Sequence, residues 1–371
     1  MSKVDFLKDF RDSKRIKAIS EIIYKEADRS INIMEICGGH THTIMKYGLS
    51  QILPPFINFI HGPGCPVCVM PKERIDHAIS LVQDEKNILV VLGDMIRVPG
   101  SESSLAKERA KGKNVKVIYS PFDAIKIAKE NPQKNVIYFA IGFETTTPMT
   151  ASLVNFTIKD QIKNLFFHVN HVLVPPPIRA IMDSKEAKID AFIGPSHVSV
   201  ITGAKIYDDI VKSYGTPVVV SGFEPVDVME SILRIVRQFK ERRREVEIQY
   251  TRAVNFEGNV KAQQLIDKYF TTRENFRWRG IGDIPYSGLK LKEEFSYLDA
   301  EIVFRDILPS KQVDDHKLCI CGDILKGIAK PYDCKVFAKA CTPENPLGAC
   351  MVSSEGACAA YYKYGKLELT L

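Results

Sequence analysis

Thiols and imidazoles carry the chemistry in this chain, and their spacing is the place to begin. Gly62-Pro63-Gly64-Cys65-Pro66-Val67-Cys68 sets two thiols three residues apart, where the apolar run Phe56–Ile60 gives way to a helical pattern over Pro71–Val82. At that spacing a helix N-terminus holds one thiol exposed and the other a turn deeper, so the pair can cycle between dithiol and disulfide. The same two residues are half of a zinc site, and inert packing is the bland reading. The positive end of the following helix would lower their pKa. Upstream, Cys37-Gly38-Gly39-His40-Thr41-His42 offers either a metal constellation or a thiol kept nucleophilic by a neighbouring imidazolium. Its plain alternative is a buried cysteine at a strand end, with histidines opening the next helix. The two glycines let the backbone approach a ligand or another chain closely.

Two further motifs are polar without thiols. Gly142-Phe143-Glu144-Thr145-Thr146-Thr147-Pro148 has helix-start chemistry, a threonine cap and an early proline, so its N–H groups could hold an anion or merely be capped. It lacks the glycine and lysine spacing of a Walker loop. In Pro195-Ser196-His197-Val198-Ser199, capping by Ser196 competes with a catalytic or coupling role for His197.

Six of the nine cysteines fall between residues 319 and 358, namely Cys319, Cys321, Cys334, Cys341, Cys350 and Cys358. Cys321, Cys334, Cys341 and Cys358 are separated by twelve, six and sixteen residues. A compact zinc knuckle shows two close pairs, whereas these intervals suit an iron-sulfur cluster held by wrapped loops; zinc remains open on composition alone.

The elements that position these groups read as an α/β protein. Strands are expected at Ile31–Ile36, Asn87–Leu92, Val115–Tyr119, Asn135–Ile141, Leu165–Val169, Asp190–Ile193 and Thr216–Val220, with helical patterns between them. That rhythm signals parallel sheets covered on both faces. Gly142-Phe143-Glu144 returns as Gly222-Phe223-Glu224, suggesting two similar parallel-sheet units. Cys37, Cys65, Asp94, Glu144, His197 and Glu224 all follow apolar strands or runs, the edge at which open α/β sheets bind ligands. A helix with its apolar stripe is expected from about Asp5 to Ala27, and a charged helical connector from about Glu230 to Tyr269. The expected organisation is 1–50 for the N-terminal helix and Cys37 loop, packed against the C-terminal domain; 51–140 and 141–240 for two α/β domains; and 241–371 for a loop-rich C-terminal domain.

Composition narrows the classes. The 371 residues are 45% hydrophobic with net charge +6, enough for two or three domains. The basic run Lys240-Glu241-Arg242-Arg243-Arg244 has no interleaved aromatic residues and reads as a solvated helix face rather than a nucleic-acid site. No apolar run approaches a bilayer span, and the first residues lack a secretory core, so a cytoplasmic protein is expected. A reducing compartment disfavours a disulfide framework, which raises metal and redox roles for the cysteines.

Taken in order, the Cys37, Cys65, Gly142 and Pro195 motifs, followed by Gly348-Ala349-Cys350-Met351-Val352-Ser353-Ser354-Glu355-Gly356-Ala357-Cys358, resemble the HypD family of [NiFe]-hydrogenase maturation proteins over essentially the full chain. The resemblance implies a cytoplasmic scaffold on which a transient mononuclear iron receives cyanide and carbon monoxide, forming the Fe(CN)2CO moiety. It implies work with the small chaperone HypC and with HypE, which delivers cyanide as a carboxy-terminal thiocyanate and has HypF upstream. It further implies a [4Fe-4S] cluster on Cys321, Cys334, Cys341 and Cys358, a redox-active Cys65/Cys68 pair, and Cys37 as the essential thiol at the assembly iron. His40 and His42 would tune that iron's surroundings or handle protons. The alternatives are a free-standing iron-sulfur thiol/disulfide oxidoreductase, which gives Cys37 no role, and a structural zinc protein.

Overall fold

The computed structural model describes residues 6–184, 186 and 188–365. The predicted helix start at Asp5, and the ends of the outer two expected domains, lie outside those residues. Nine strands build two parallel sheets: β1 Ile31–Glu35, β2 Ile57–His61, β3 Asn87–Leu92, β4 Val115–Ile118, β5 Asn135–Gly142, β6 Leu165–His171, β7 Ala191–Pro195, β8 Val218–Ser221 and β9 Val246–Ile248. One sheet has the order β2-β1-β7-β8-β9 and the other β4-β3-β5-β6, with every pairing parallel. Strands such as Ile88-Leu89-Val90-Val91 and Val218-Val219-Val220 are apolar on both faces and fully buried, as a sheet covered on both sides requires. Each such side chain contributes roughly 1.5–3 kcal/mol relative to exposure.

Sheet membership cuts across the boundaries expected at 50, 140 and 240. β1, which precedes Cys37, and β2, which precedes Cys65, belong to the same sheet as β7, β8 and β9, while β3 to β6 form the other. The chain leaves the first sheet after β2 and returns to it after β6. Hydrophobic periodicity reports that a strand exists but not which strand it pairs with, so order along the chain is a poor guide to partnership. The expected second unit, 141–240, takes β7 and β8 from one sheet and β6 from the other.

Three local expectations change. The first helix is interrupted: Phe6–Asp9 ends, and Asp12 caps Ser13–Glu26 by accepting from Lys14 N and Arg15 N. Phe56–Ile60, read only as an apolar run, contains most of β2. The charged connector is not continuously helical, because the helix Pro225–Lys240 stops, Arg242 turns with φ 56°, and edge strand β9 follows before the helix Val260–Tyr269. Arg243, within the basic run, pairs with Glu241, Glu245 and Glu247 at this corner.

Residues 270–291 add two short antiparallel pairs, Phe270–Thr272 with Leu289–Leu291 and Asn275–Trp278 with Gly282–Pro285. Trp278 is fully buried there and donates to Ser287 Oγ at 2.8 Å. Beyond Arg305 the chain is loop-rich, with the helices Cys321–Leu325 and Ala357–Tyr364 and a single turn at Ala349–Met351. No helix is long and apolar enough to cross a membrane among the described residues.

Candidate functional site

The first sheet has its topological switch between β1 and β7, since β1 leads outward to β2 on one side and β7 to β8 and β9 on the other. Such a crevice at the carboxyl ends of the strands is where an open α/β sheet takes a ligand. Cys37 lies on one side of it and His197 on the other, with Cys37 Sγ 3.9 Å from His197 Nε2. The strands hold this register through Glu35 opposite Ile193 and the 3.1 Å hydrogen bond from Ile36 N to Ile193 O.

Cys37 is the N-cap of the helix Gly38–Lys46, and its Sγ accepts from Gly39 N at 3.4 Å. Both glycines are sterically required. A methyl at Gly38 would overlap the Glu355 carbonyl, and one at Gly39 would come within 2.8 Å of the Phe223 ring. Phe223, which follows β8, organises the histidines: the rings of His40 and His197 both stack on it, at 4.4 and 5.0 Å between centroids. His40 is fully buried, and its Nε2 faces the carbonyls of Gly222 and Ser221 at 3.1 and 3.3 Å. Burial pushes His40 down to about 3 and His197 down to about 4, so both imidazoles are neutral near pH 7.

That removes one sequence-based option, a Cys37 thiolate held by an imidazolium. Burial, with the Glu355 carboxylate nearby, raises the Cys37 thiol, and the Gly39 and His40 N–H groups only partly oppose this. The metal-free thiol is therefore protonated, and a bound cation would have to displace that proton. His42 does not join the group. It is half-buried, packs edge-on against Tyr364 at 5.1 Å, and lines an open groove with Asp94, Arg97 and Met351.

The Cys65/Cys68 loop packs directly beside Cys37, since a methyl at Gly64 would overlap Cys37 N and Cα. Cys65 and Cys68 are joined as a disulfide with Cα atoms 5.2 Å apart. Cys65 caps the short helix Pro66–Val69, its Sγ accepting from Cys68 N at 3.2 Å. Both are buried, so neither thiol is the exposed one that the spacing suggested. The helix Pro66–Val69 packs on the Ala349–Met351 turn, which carries the fully buried Cys350.

Glu144 comes from the other sheet, just past β5. Its Oε1 accepts from Val174 N at 2.9 Å, while its buried Oε2 has no hydrogen-bond partner among the described residues. Burial pushes this carboxyl up to about 7. Glu224, its counterpart in the repeated motif, instead caps the helix Pro225–Lys240 and pairs with Arg11 at 2.5 Å.

The C-terminal thiols converge. Cys319 Sγ lies 3.2 Å from Cys321 Sγ, and a methyl at Gly348 would sit 2.6 Å from both sulfurs, so only glycine lets them meet there. Cys341 Sγ accepts from Leu347 N at 3.4 Å. Cys321 beside it raises the Cys358 thiol, as does burial, and Cys350 and Cys319 add to the effect. Cys334 is half-buried, with its Sγ 3.7 Å from Leu318 O. Crowded soft donors, of which Cys319, Cys341 and Cys358 resist losing their protons, with a backbone N–H aimed at the Cys341 sulfur, suit a thiolate-bound metal or iron-sulfur group.

The HypD family model, described as "Hydrogenase formation hypA family", matches residues 13–365. The chain belongs to the HypD family. It is 48% identical over 369 residues to the hydrogenase maturation factor HypD2 of Bradyrhizobium diazoefficiens, covering 97% of each chain. It is 46% identical to HypD of Cupriavidus necator, covering 98% of each, and 40% identical to HypD of Escherichia coli, covering 98% of this chain and 99% of that one. A role in hydrogenase maturation follows from the family.

Within this HypD-family chain some site residues carry no sequence signal of their own. Phe223 is visible only as part of a repeated tripeptide. Glu35, His61 and Tyr361 form a buried chain in which Glu35 Oε1 meets His61 Nδ1 and accepts from Thr41 Oγ1 at 3.0 Å, while His61 Nε2 meets Tyr361 Oη at 2.8 Å. Glu35 and His61 face each other across β1 and β2, a pairing visible only once the register is known.

Proposed function

We propose that this chain is a cytoplasmic scaffold and redox component for building the Fe(CN)2CO moiety of [NiFe] hydrogenases. The observation that carries this reading is the packing of Gly64 against Cys37, which sets a buried two-electron thiol pair beside a thiol at the sheet's ligand-binding edge. Cys37 would bind the cargo iron together with a thiolate from a HypC-type chaperone, since soft thiolates suit iron carrying π-acceptor ligands. The imidazole of His197, 3.9 Å away, would only relay the proton that Cys37 gives up as iron binds, since burial pushes it down to about 4 and it does not hold a proton near pH 7.

Cyanide would arrive from HypE as a thiocyanate. Breaking its S–C bond reductively takes two electrons, giving a thiol and cyanide for the iron, while the Cys65/Cys68 dithiol becomes the disulfide and releases two protons. One proton goes to the departing thiolate. Glu144, its carboxyl pushed up to about 7, would exchange the other. Cys321, Cys334, Cys341 and Cys358 would hold a [4Fe-4S] cluster, which supplies electrons singly when bound. Cys319 Sγ lies 3.2 Å from Cys321 Sγ, so the choice within that pair rests on the family pattern.

The free-standing oxidoreductase reading leaves Cys37, His197 and Phe223 without a role. The test is co-purification under anaerobic conditions with a HypC-type partner. A stable complex carrying mononuclear iron, in addition to four cluster irons with sulfide, supports the scaffold; a single zinc and no sulfide contradicts it.

A further inference from the structure

Tyr207 is fully buried, yet its hydroxyl makes no hydrogen bond among the described residues. The nearest hydroxyl, Ser199 Oγ, interacts with the phenol but lies outside hydrogen-bond geometry to it and donates to Pro195 O at 3.0 Å. A buried phenol left in this state costs about 1–3 kcal/mol, which a fold avoids by using phenylalanine unless the hydroxyl has a further use.

Its location points to that use. The Tyr207 ring packs on Gly194 of β7, where a methyl would lie 3.3 Å from the hydroxyl oxygen. In the β1–β7 register Glu35 faces Ile193, so Gly194 is level with Ile36, the residue before Cys37. Tyr207 also lies within electrostatic reach of both Cys37 and Glu144, the latter with its own unpaired Oε2. The Thr145 hydroxyl, next to Glu144 in the chain, is a further buried group without a hydrogen-bond partner among the described residues. Burial raises the Tyr207 pKa, so the phenol keeps its proton and can act as a donor.

A phenol donor without a protein acceptor, near a metal-binding thiol, calls for a small ligand with an acceptor at its outer end. Cyanide bound through carbon has a strongly basic nitrogen there, whereas carbon monoxide has a weakly accepting oxygen. The geometry points to Tyr207 as the donor that binds the nitrogen end of a cyanide on iron at Cys37, selecting cyanide over carbon monoxide at that coordination position. This inference rests on the proposed scaffold function. Gly194 is part of the device, because a Cβ there would press on the phenol at 3.2–3.3 Å.

The experiment compares wild type, Tyr207→Phe and Cys37→Ser in the anaerobic complex with the chaperone partner, by infrared spectroscopy and thermal melting. In Tyr207→Phe the cyanide stretches are expected to shift while the carbon monoxide stretch stays, and cyanide loading slows about 10-fold or more, as loss of one hydrogen bond to a charged acceptor allows. The melting temperature is expected to be unchanged or higher, since no protein partner loses a bond. Unshifted cyanide bands at wild-type loading would overturn the assignment while leaving the scaffold intact, and so would a lower melting temperature with unshifted bands. Absence of cyanide bands from wild type, or their persistence in Cys37→Ser, would overturn the scaffold reading and this assignment with it.

Discussion

Gly64 presses against Cys37 so closely that a single methyl group at position 64 would overlap the cysteine's backbone nitrogen and Cα and the Ile36 carbonyl. The obstacles are backbone atoms of a strand end, which cannot swing aside. Gly64→Ala is therefore expected to lower stability by about 1–3 kcal/mol through overpacking and to weaken iron binding at Cys37. Thermal melting and iron content of the chaperone complex check this; a variant with wild-type values in both would show that the two loops are independent.

Cysteine substitutions should separate two functions, the redox pair and the cluster. Cys65→Ser is expected to keep cluster absorbance but abolish the cyanide infrared bands, because one remaining thiol cannot deliver two electrons by forming a disulfide. Cys341→Ser is expected to lose the absorbance. Normal cyanide bands in Cys65→Ser would remove the redox role of the pair.

Glu144 should make stability depend on pH in a defined direction. Its carboxyl is raised in the fold from 4.5 to about 7, so the folded state binds a proton that the unfolded chain has released. Stability then falls as pH rises from about 4.5 through 7, and the loss is complete above that range, at an upper limit of about 3 kcal/mol. Glu144→Gln mimics the protonated form. It should gain on wild type above pH 7 and match it near pH 4.5, measured by denaturant midpoints at both pH values. A parallel pH profile would place the titration elsewhere.

Tyr361 ties the C-terminal helix to the first sheet through His61. Removing its hydroxyl leaves His61 Nε2 buried without that partner, so Tyr361→Phe is expected to cost about 1–3 kcal/mol. Hydrogen exchange should speed up along Ala357–Tyr364 before the sheet opens. Unchanged protection there would mean that packing alone seats the helix.

Sequence periodicity carries much of this architecture. The strands from Asn87, Asn135, Leu165 and Val218 are largely apolar along their length, and such runs announce buried parallel strands without help from neighbours. Pairing is not legible, because β1 joins β7 across more than 150 intervening residues and nothing local encodes that choice. The site divides along the same line. Cys37 and His197 are recognisable from residue type and from their place after strands, whereas Phe223 and Tyr207 are ordinary aromatic residues until the fold brings them to Cys37. Electrostatics is the least legible part. An imidazolium beside Cys37 is a fair reading of Cys-x-x-His, but burial keeps both His40 and His197 neutral.

The central claim is that Cys37 holds the iron on which cyanide and carbon monoxide are assembled. The infrared spectrum of the anaerobically isolated complex with the chaperone partner, recorded for wild type and Cys37→Ser at equal cluster absorbance, tests it most directly. Cyanide and carbon monoxide stretches are expected in wild type and none in Cys37→Ser. The same bands in both proteins would contradict it.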